Sequence, residues 1–107
     1  MRGIIMAAAV VALSLLATAT AQADVRFRRT DCPVSPQSSA AFKIIGAAGE
    51  RDGVGSEYTW LKLYMPGWSR TDQLLLSGDN RVFDVLDITD GRHHKMVCFD
   101  ITDFFGR

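Results

Sequence analysis

Two cysteines, Cys32 and Cys98, constrain the fold of this chain more than any other feature of its sequence. With only two thiols a disulfide has one pairing, and the bridge would close a loop of about 67 residues. On the chain-entropy model, such a loop restricts the unfolded state by about 4 kcal/mol, while a small domain has a total stability of about 5–15 kcal/mol. We therefore predict a disulfide between them. The alternative, a pair of reactive or metal-binding thiols, lacks a Cys-x-x-Cys spacing.

A stable disulfide needs an oxidising compartment, and the N-terminus has the pattern of an export signal. The uncharged, mostly apolar run Ile4–Ala17 is about 14 residues long, shorter than the roughly 20 residues that cross a bilayer. Ala21 and Ala23 occupy the small-residue positions that signal peptidase requires. We expect residues 1–23 to be a signal peptide cleaved after Ala23, and residues 24–107 to be one small exported domain, in the periplasm or secreted. An uncleaved N-terminal helix or membrane anchor is the alternative.

The charge balance limits the partners that this domain can have. The chain has 12 basic and 12 acidic residues, and loss of the one arginine in the leader leaves a net charge of about −1. Nucleic acids and anionic membranes both select a basic excess, so we expect neither nucleic-acid binding nor stable membrane insertion after cleavage. The one basic cluster, residues 26–29 (Arg-Phe-Arg-Arg), is either a solvated arm or a contact for an acidic partner.

The clearest helix signal begins at Ser56, because serine is a preferred N-cap residue. Apolar side chains then recur at helical spacing, and Pro66 ends the helix after Met65. The glycines of residues 49–55 predict a loop before it. A helix of about ten residues is barely stable alone in water, so it must pack on another element.

The segments on either side of the helix are predicted with different precision. Residues 24–39 contain two prolines and are predicted to be an irregular N-terminal arm, in which Val25–Arg28 is open to a short extended conformation. Ala40–Ala47 is short and apolar, and its pattern leaves open whether it is a strand or a helical segment. After the helix, three strands are predicted over Gln73–Ser77, Val82–Thr89 and His94–Ile101.

The predicted fold is α+β, with one main helix packed on a three-stranded antiparallel meander and closed by one disulfide. Asp90-Gly91 is interpreted as a two-residue turn of the last hairpin. Alternation along the strands then places Phe83, Val85, Met96 and Cys98 on one face. The opposite face carries Val82, Leu86, Ile88, Val97, Phe99 and Ile101. Both faces are substantially apolar, so we expect the helix to cover one and the N-terminal arm to cover the Cys98 side.

Candidate catalytic groups are few. His93 and His94 are adjacent at the start of the last predicted strand, and in a strand conformation their rings point to opposite faces and do not both reach one metal ion. Asp87 is predicted to face His94 across the hairpin. A small metal-dependent or hydrolytic enzyme that uses His93 or His94 with Asp87 is therefore the alternative function, and not the preferred one. We predict no catalytic residues, no metal ligands and no cofactor.

Three aromatic residues are candidates for a binding surface. Trp68 follows directly after the helix end and is either a surface anchor or a ring lying flat over the sheet edge. Phe104 and Phe105, near the C-terminus, either plug the edge of the core or form an exposed pair that docks a partner.

The order of these parts resembles a known family. The helix ends in Tyr64-Met65-Pro66-Gly67, and the strand Arg81-Val82-Phe83-Asp84-Val85, the turn Asp90-Gly91 and the segment Val97-Cys98-Phe99-Asp100 follow it. This order resembles that of PepSY-like exported modules of bacteria over about half of the mature chain. It is also similar to other small exported bacterial domains. The Thr-Gly that often follows the closing Asp in PepSY-like modules is replaced here by Ile101-Thr102.

The resemblance implies a binding function. PepSY-like modules are thought to bind or restrain peptidases and other envelope proteins. Together with the lack of a catalytic motif, this leads us to predict a non-enzymatic protein-binding or inhibitory module whose partner is an envelope or secreted protein. A structural envelope protein that associates with itself is a further alternative.

Overall fold

The computed structural model describes residues 24–107. The predicted signal peptide, residues 1–23, lies outside the described residues. Within the described part, no helix is long and apolar enough to span a bilayer. The elements in chain order are β1 (Arg26–Arg29), β2 (Ala40–Ile45), α1 (Glu50–Tyr64), β3 (Ser69–Gly78), β4 (Arg81–Thr89) and β5 (His94–Asp100).

The strands form one five-stranded mixed sheet in the order β1-β2-β5-β4-β3, so the predicted three-stranded antiparallel meander is wrong. The antiparallel pairs β3–β4 and β4–β5 are present. Beyond them, β2 lies parallel to β5, with Ala40 opposite Val97 and Phe42 opposite Phe99. Parallel strands need a long crossover connection, which here contains α1, β3 and β4, so short-range patterns do not reveal the pair.

The N-terminal half of the domain supplies the two strands that the prediction lacked. The open question over Ala40–Ala47 is resolved as a strand, β2. Residues 24–39 are not wholly irregular, because Arg26–Arg29 pairs antiparallel with β2 and forms the edge of the sheet. Residues 30–39, between β1 and β2, lack regular secondary structure, and this segment is called the arm below.

The helix α1 begins six residues before the predicted Ser56, at Glu50. Its N-cap is Gly49, which provides no side-chain cap, so the usual signal for a helix start is missing. Ser56 lies inside the helix, where its hydroxyl donates a 2.8 Å hydrogen bond to the carbonyl oxygen of Asp52. Gly53 is buried in the helix against Phe104, and a Cβ at this position would overlap the ring of Phe104. The predicted loop over residues 49–55 is therefore wrong for residues 50–55, which are helical, whereas Gly49 lies outside the helix.

The two hairpin turns differ in length, and the second one departs from the prediction. Asp79 and Asn80 have φ of 56° and 58° and connect Gly78 to its partner Arg81, which is a two-residue turn of the kind favoured in hairpins. Asp90-Gly91 is not such a turn, because Thr89 pairs with His94 and leaves four residues in the loop.

The longer loop moves the register of β4 and β5 by two residues, so Val85 lies opposite Cys98 rather than Met96. A shift of two residues keeps every side chain on its face. The predicted division of the two faces is therefore confirmed. One face, the helix face, is covered by α1 and buries Ile44, Trp60, Leu61, Leu86, Ile88, Val97, Phe99, Ile101 and Phe104. The other, the arm face, buries Cys32, Phe83, Val85 and Cys98.

The predicted disulfide is confirmed: Cys32 and Cys98 are joined, with their Cα atoms 6.4 Å apart. Arg81 provides a second link between the arm and the sheet. Its guanidinium donates to Oδ1 and to the backbone carbonyl of Asp31 at 2.8 and 2.9 Å, and its Nε donates to buried Asp100 at 3.1 Å. The hydrogen bond from Arg81 also lowers the pKa of Asp31. The arm is thus held over the sheet at adjacent positions.

Candidate functional site

A cleft of about 580 Å³ opens between the C-terminal half of α1 and the β1-β2-β5 part of the sheet. Three elements, β1, β2 and α1, supply its aromatic walls, and a cation stands at the rim on each of two strands, β1 and β5. The aromatic lining residues are Phe27, Phe42, Trp60 and Tyr64, and the cations are Arg29 and Lys95. Pockets that bury part of a ligand usually combine an apolar lining with a few polar groups of this kind.

Simple periodicity places these side chains on one side of the sheet. Trp60 and Tyr64 are four residues apart in α1 and therefore share a helix face. Phe27 and Arg29 are two residues apart in β1 and point to the same side, as do Ala40 and Phe42 in β2. The sheet then brings these three pairs together.

The aromatic wall combines a fixed ring with an accessible one. The indole of Trp60 is buried and its centroid lies 5.1 Å from that of Phe42, 5.6 Å from that of Tyr64 and 5.6 Å from that of Phe99. Tyr64, by contrast, is 62% exposed. Ring pairs at these separations attract each other beyond their apolar burial, so Trp60 is held rigidly while Tyr64 remains available to a ligand.

The rim of the cleft is positive. The guanidinium carbon of Arg29 lies 5.7 Å from the ring centroid of Phe42, and Nζ of Lys95 lies 5.1 Å from the ring centroid of Trp68. Cations at these distances are attracted to the ring faces, which holds both at the mouth of the cleft. Among the residues that line the cleft none is acidic. The arrangement suits an apolar or aromatic group that stands next to a negative charge.

The structure separates the three aromatic residues that the sequence suggested as a binding surface. Trp68 is half-buried against the helix-face core and supports Lys95 at the rim of the cleft. Phe104 is 1% exposed and fills the space beside Gly53 in the first part of α1, so it is a core residue. Phe105 is 41% exposed. Phe104 therefore plugs the core, and only its neighbour is open to solvent.

Sequence reasoning missed the cleft because its walls come from four different elements. One local signal was present in β1, where the alternation Arg-Phe-Arg-Arg places Phe27 and Arg29 together on one side of a strand. Recognising β1 as a strand, and not as part of a solvated arm, would have paired an aromatic ring with a cation.

A pair of buried carboxyl groups lies beneath the helix, away from the cleft lining. Glu57 of α1 and Asp84 of β4 are 1% and 2% exposed. Gln73 donates from Nε2 to both carboxylate oxygens of Asp84, at 2.8 and 2.7 Å. Burial, together with a hydrogen bond to Asp84 and its negative charge, raises the pKa of Glu57 to about 10. Glu57 is therefore protonated at neutral pH, and both groups are too deeply buried to meet a substrate.

The two histidines have separate aspartate partners near the end of the last hairpin. Nδ1 of His93 lies 3.1 Å from Asp90, and Nδ1 of His94 lies 3.8 Å from Asp87. Backbone N–H groups of His93 and Arg92, and the ring of His93, hold the pKa of Asp90 well below its usual range. Among residues 24–107, no three His, Cys, Asp or Glu side chains come together where a metal ion could bind.

A second depression, of about 690 Å³, lies at the start of α1. Its charged residues are of both signs, with Glu50 and Asp52 beside Arg51 and Arg107, and its lining contains no aromatic ring. It therefore lacks both the apolar wall and the single sign of charge that distinguish the cleft.

Comparison of the chain with protein-family models, with curated proteins and with solved structures gave no match. The function is therefore inferred from the cleft and from the residues that line it.

Proposed function

We propose that residues 24–107 form a non-enzymatic, exported protein-binding module that recognises an envelope or secreted partner in the cleft between α1 and the β1-β2-β5 part of the sheet. The observation that carries this proposal is the combination of aromatic walls, a rim with Arg29 and Lys95, and no acidic residue in the lining. Aromatic and arginine side chains are the residue types that contribute most to protein-binding energy.

Three further features support a binding function. The disulfide suits a domain that works outside the reducing cytosol. The resemblance to PepSY-like modules also favours binding, including an inhibitory form of it. The side chains of types that serve as catalytic acids or bases are not arranged together. Glu57 and Asp84 are buried, and His93 and His94 each pair with a separate aspartate at the surface.

Selection from a random peptide library displayed on phage tests this proposal, with the disulfide-intact exported protein as bait. We expect the enriched peptides to bind the protein and to lose affinity by tenfold or more in Tyr64→Ala, because that ring is the accessible part of the aromatic wall. Arg51→Gln, which lies in the second depression, is the matched control and is expected to bind normally.

Two results would contradict the proposal. Peptides that bind Tyr64→Ala and the unchanged protein equally well would place binding outside the cleft. A library from which no peptide is enriched would argue against a protein-binding module.

A further inference from the structure

The edge strand β1 leaves part of its backbone without a strand partner. It is the terminal strand of the sheet, and within residues 24–107 no strand pairs with its outer edge. Unpaired N–H and C=O groups along such an edge are a template for an added strand. The same strand also forms one wall of the cleft, through Phe27 and Arg29.

The hydrogen-bond pattern identifies which groups of β1 point outward. The N–H of Thr30 donates to the carbonyl oxygen of Ala41 on β2, at 3.1 Å. In an antiparallel pair, residues alternate between bonding to the partner and pointing away from it. Arg28, which is opposite Lys43, therefore bonds toward β2, whereas the N–H and C=O groups of Phe27 and Arg29 point outward. These are the same two residues whose side chains enter the cleft.

The charge of β1 selects what can pair with this edge. Three of its four residues are arginines, and Lys43 lies directly opposite Arg28. Asp103 pairs with Lys43 at 3.3 Å, while Arg26 and Arg28 are exposed. A second copy of β1 would bring three arginines beside three others, and like charges on adjacent strands are destabilising. An acidic strand would instead gain from the exposed arginines of β1.

We infer that the partner presents an extended acidic segment that adds to β1 as a sixth strand and inserts an apolar side chain into the cleft. This inference rests on the proposed function, since it specifies how the same cleft is occupied. The apolar residue lies opposite Phe27, on the cleft side of the new strand. Its two neighbours lie opposite Arg26 and Arg28, where carboxylates complement the guanidinium groups. The recognised pattern is therefore a carboxylate, an apolar residue and a second carboxylate.

A peptide pair tests this pattern directly. The probe is acetyl-Thr-Val-Asp-Trp-Asp-Val-Thr-amide, and the matched control replaces both Asp residues by Asn. Binding to the ¹⁵N-labelled, disulfide-intact protein is followed by NMR. We expect the acidic peptide to bind at least tenfold more tightly than the control at low salt, and to lose this advantage as salt is added. In Arg28→Gln the advantage is expected to shrink severalfold, because that exposed side chain meets a carboxylate and lies outside the cleft.

Amide hydrogen exchange tests the added strand. We expect saturating acidic peptide to slow the exchange of the amides of Phe27 and Arg29, and to leave that of Arg28, which already bonds to β2, nearly unchanged. Binding that shifts the resonances of Trp60 and Tyr64 without protecting Phe27 and Arg29 would overturn strand addition and leave the proposed function standing.

Equal affinity for the acidic and amide peptides, or no binding of either, would overturn the acidic pattern. The random library of the previous section is not restricted to acidic sequences, so it can still yield cleft-binding peptides in that case. If the library also yields no peptide that depends on Tyr64, the proposed function fails together with this inference.

Discussion

The two faces of the sheet are closed in different ways. The helix face is covered by a regular 15-residue helix and buries nine apolar residues, among them Trp60 and Phe104. The arm face is covered by a segment without regular secondary structure and buries four, of which two are the disulfide cysteines. The helix is held by apolar packing along one of its sides. The arm has few apolar contacts, and it is held by a covalent bond and by Arg81.

The difference shows how a small domain can cover both sides of a sheet. Domains of about 84 residues have a marginal core, and a second helix would require more chain. In place of a second packed helix, the disulfide stabilises the fold by restricting the unfolded state. The helix face, in turn, has enough packing to tolerate a buried carboxyl pair and to leave the rings of the cleft partly open.

Of the changes that test this difference between the two faces, removal of the disulfide should have the largest effect on the free energy of unfolding. The double variant Cys32→Ser/Cys98→Ser is expected to lose about 4 kcal/mol of unfolding free energy, because the long loop is no longer closed. The loss should appear in denaturant unfolding. Amide exchange should accelerate first in the arm, where the N–H of Ser35 donates to the carbonyl of Cys32. A variant that keeps the arm protected and loses less than about 1 kcal/mol would mean that apolar packing holds both faces.

The second prediction concerns the buried carboxyl of the helix face. The folded-state pKa of Glu57, about 10, lies above its ordinary value of 4.5. Between these two pH values, the folded protein keeps a proton on Glu57 that the unfolded chain has released. The contribution of Glu57 to the stability of the protein should be fully present below about pH 4.5 and should be lost as the pH rises toward 10, because the unfolded state loses the proton first.

Glu57→Gln is expected to remove this dependence and to stabilise the protein at pH 7 by about 3 kcal/mol, since its amide has no proton that folding must retain against release. Denaturant unfolding at pH 5 and pH 8 checks both statements. The control is Glu50→Gln, an exposed acid on the same helix, which should change stability by only about 0.3–1 kcal/mol. Equal slopes with pH in the Glu57 variant and the unchanged protein would show that Glu57 is ionised in the fold.

The smallest expected effects on the free energy of unfolding concern two glycines of α1. Their substitution tests how tightly the helix face is packed. Gly53→Ala should cost about 1–2 kcal/mol, because the new Cβ overlaps the ring of buried Phe104. Gly55→Ala meets nothing within 4 Å and should stabilise the helix by about 0.5–1 kcal/mol. Thermal or denaturant unfolding of the two variants measures the difference. If both substitutions stabilise, Phe104 has room to move and the helix face is less tightly packed than the structure indicates.

The sequence determined the features that depend on local patterns. The two cysteines had one way to pair, Pro66 ended the helix, and alternation assigned Val85 and Cys98 to one face although the register was two residues off. The period of a strand is two, so an error of two residues in a turn leaves the faces correct. Because a disulfide would tie Cys32 to Cys98, the arm was expected on the Cys98 side, where it lies.

Only the tertiary structure decided the features that join distant segments. The parallel pair of β2 and β5 joins the two ends of the domain, and the edge strand β1 and the cleft are assembled around that pair. The start of the helix was hidden for a related reason, because Gly49 provides no cap and Gly53 is accepted for its fit against Phe104. Burial is likewise a property of the assembled fold, and together with the neighbouring Asp84 it raises the pKa of Glu57 so that this residue is protonated in the core.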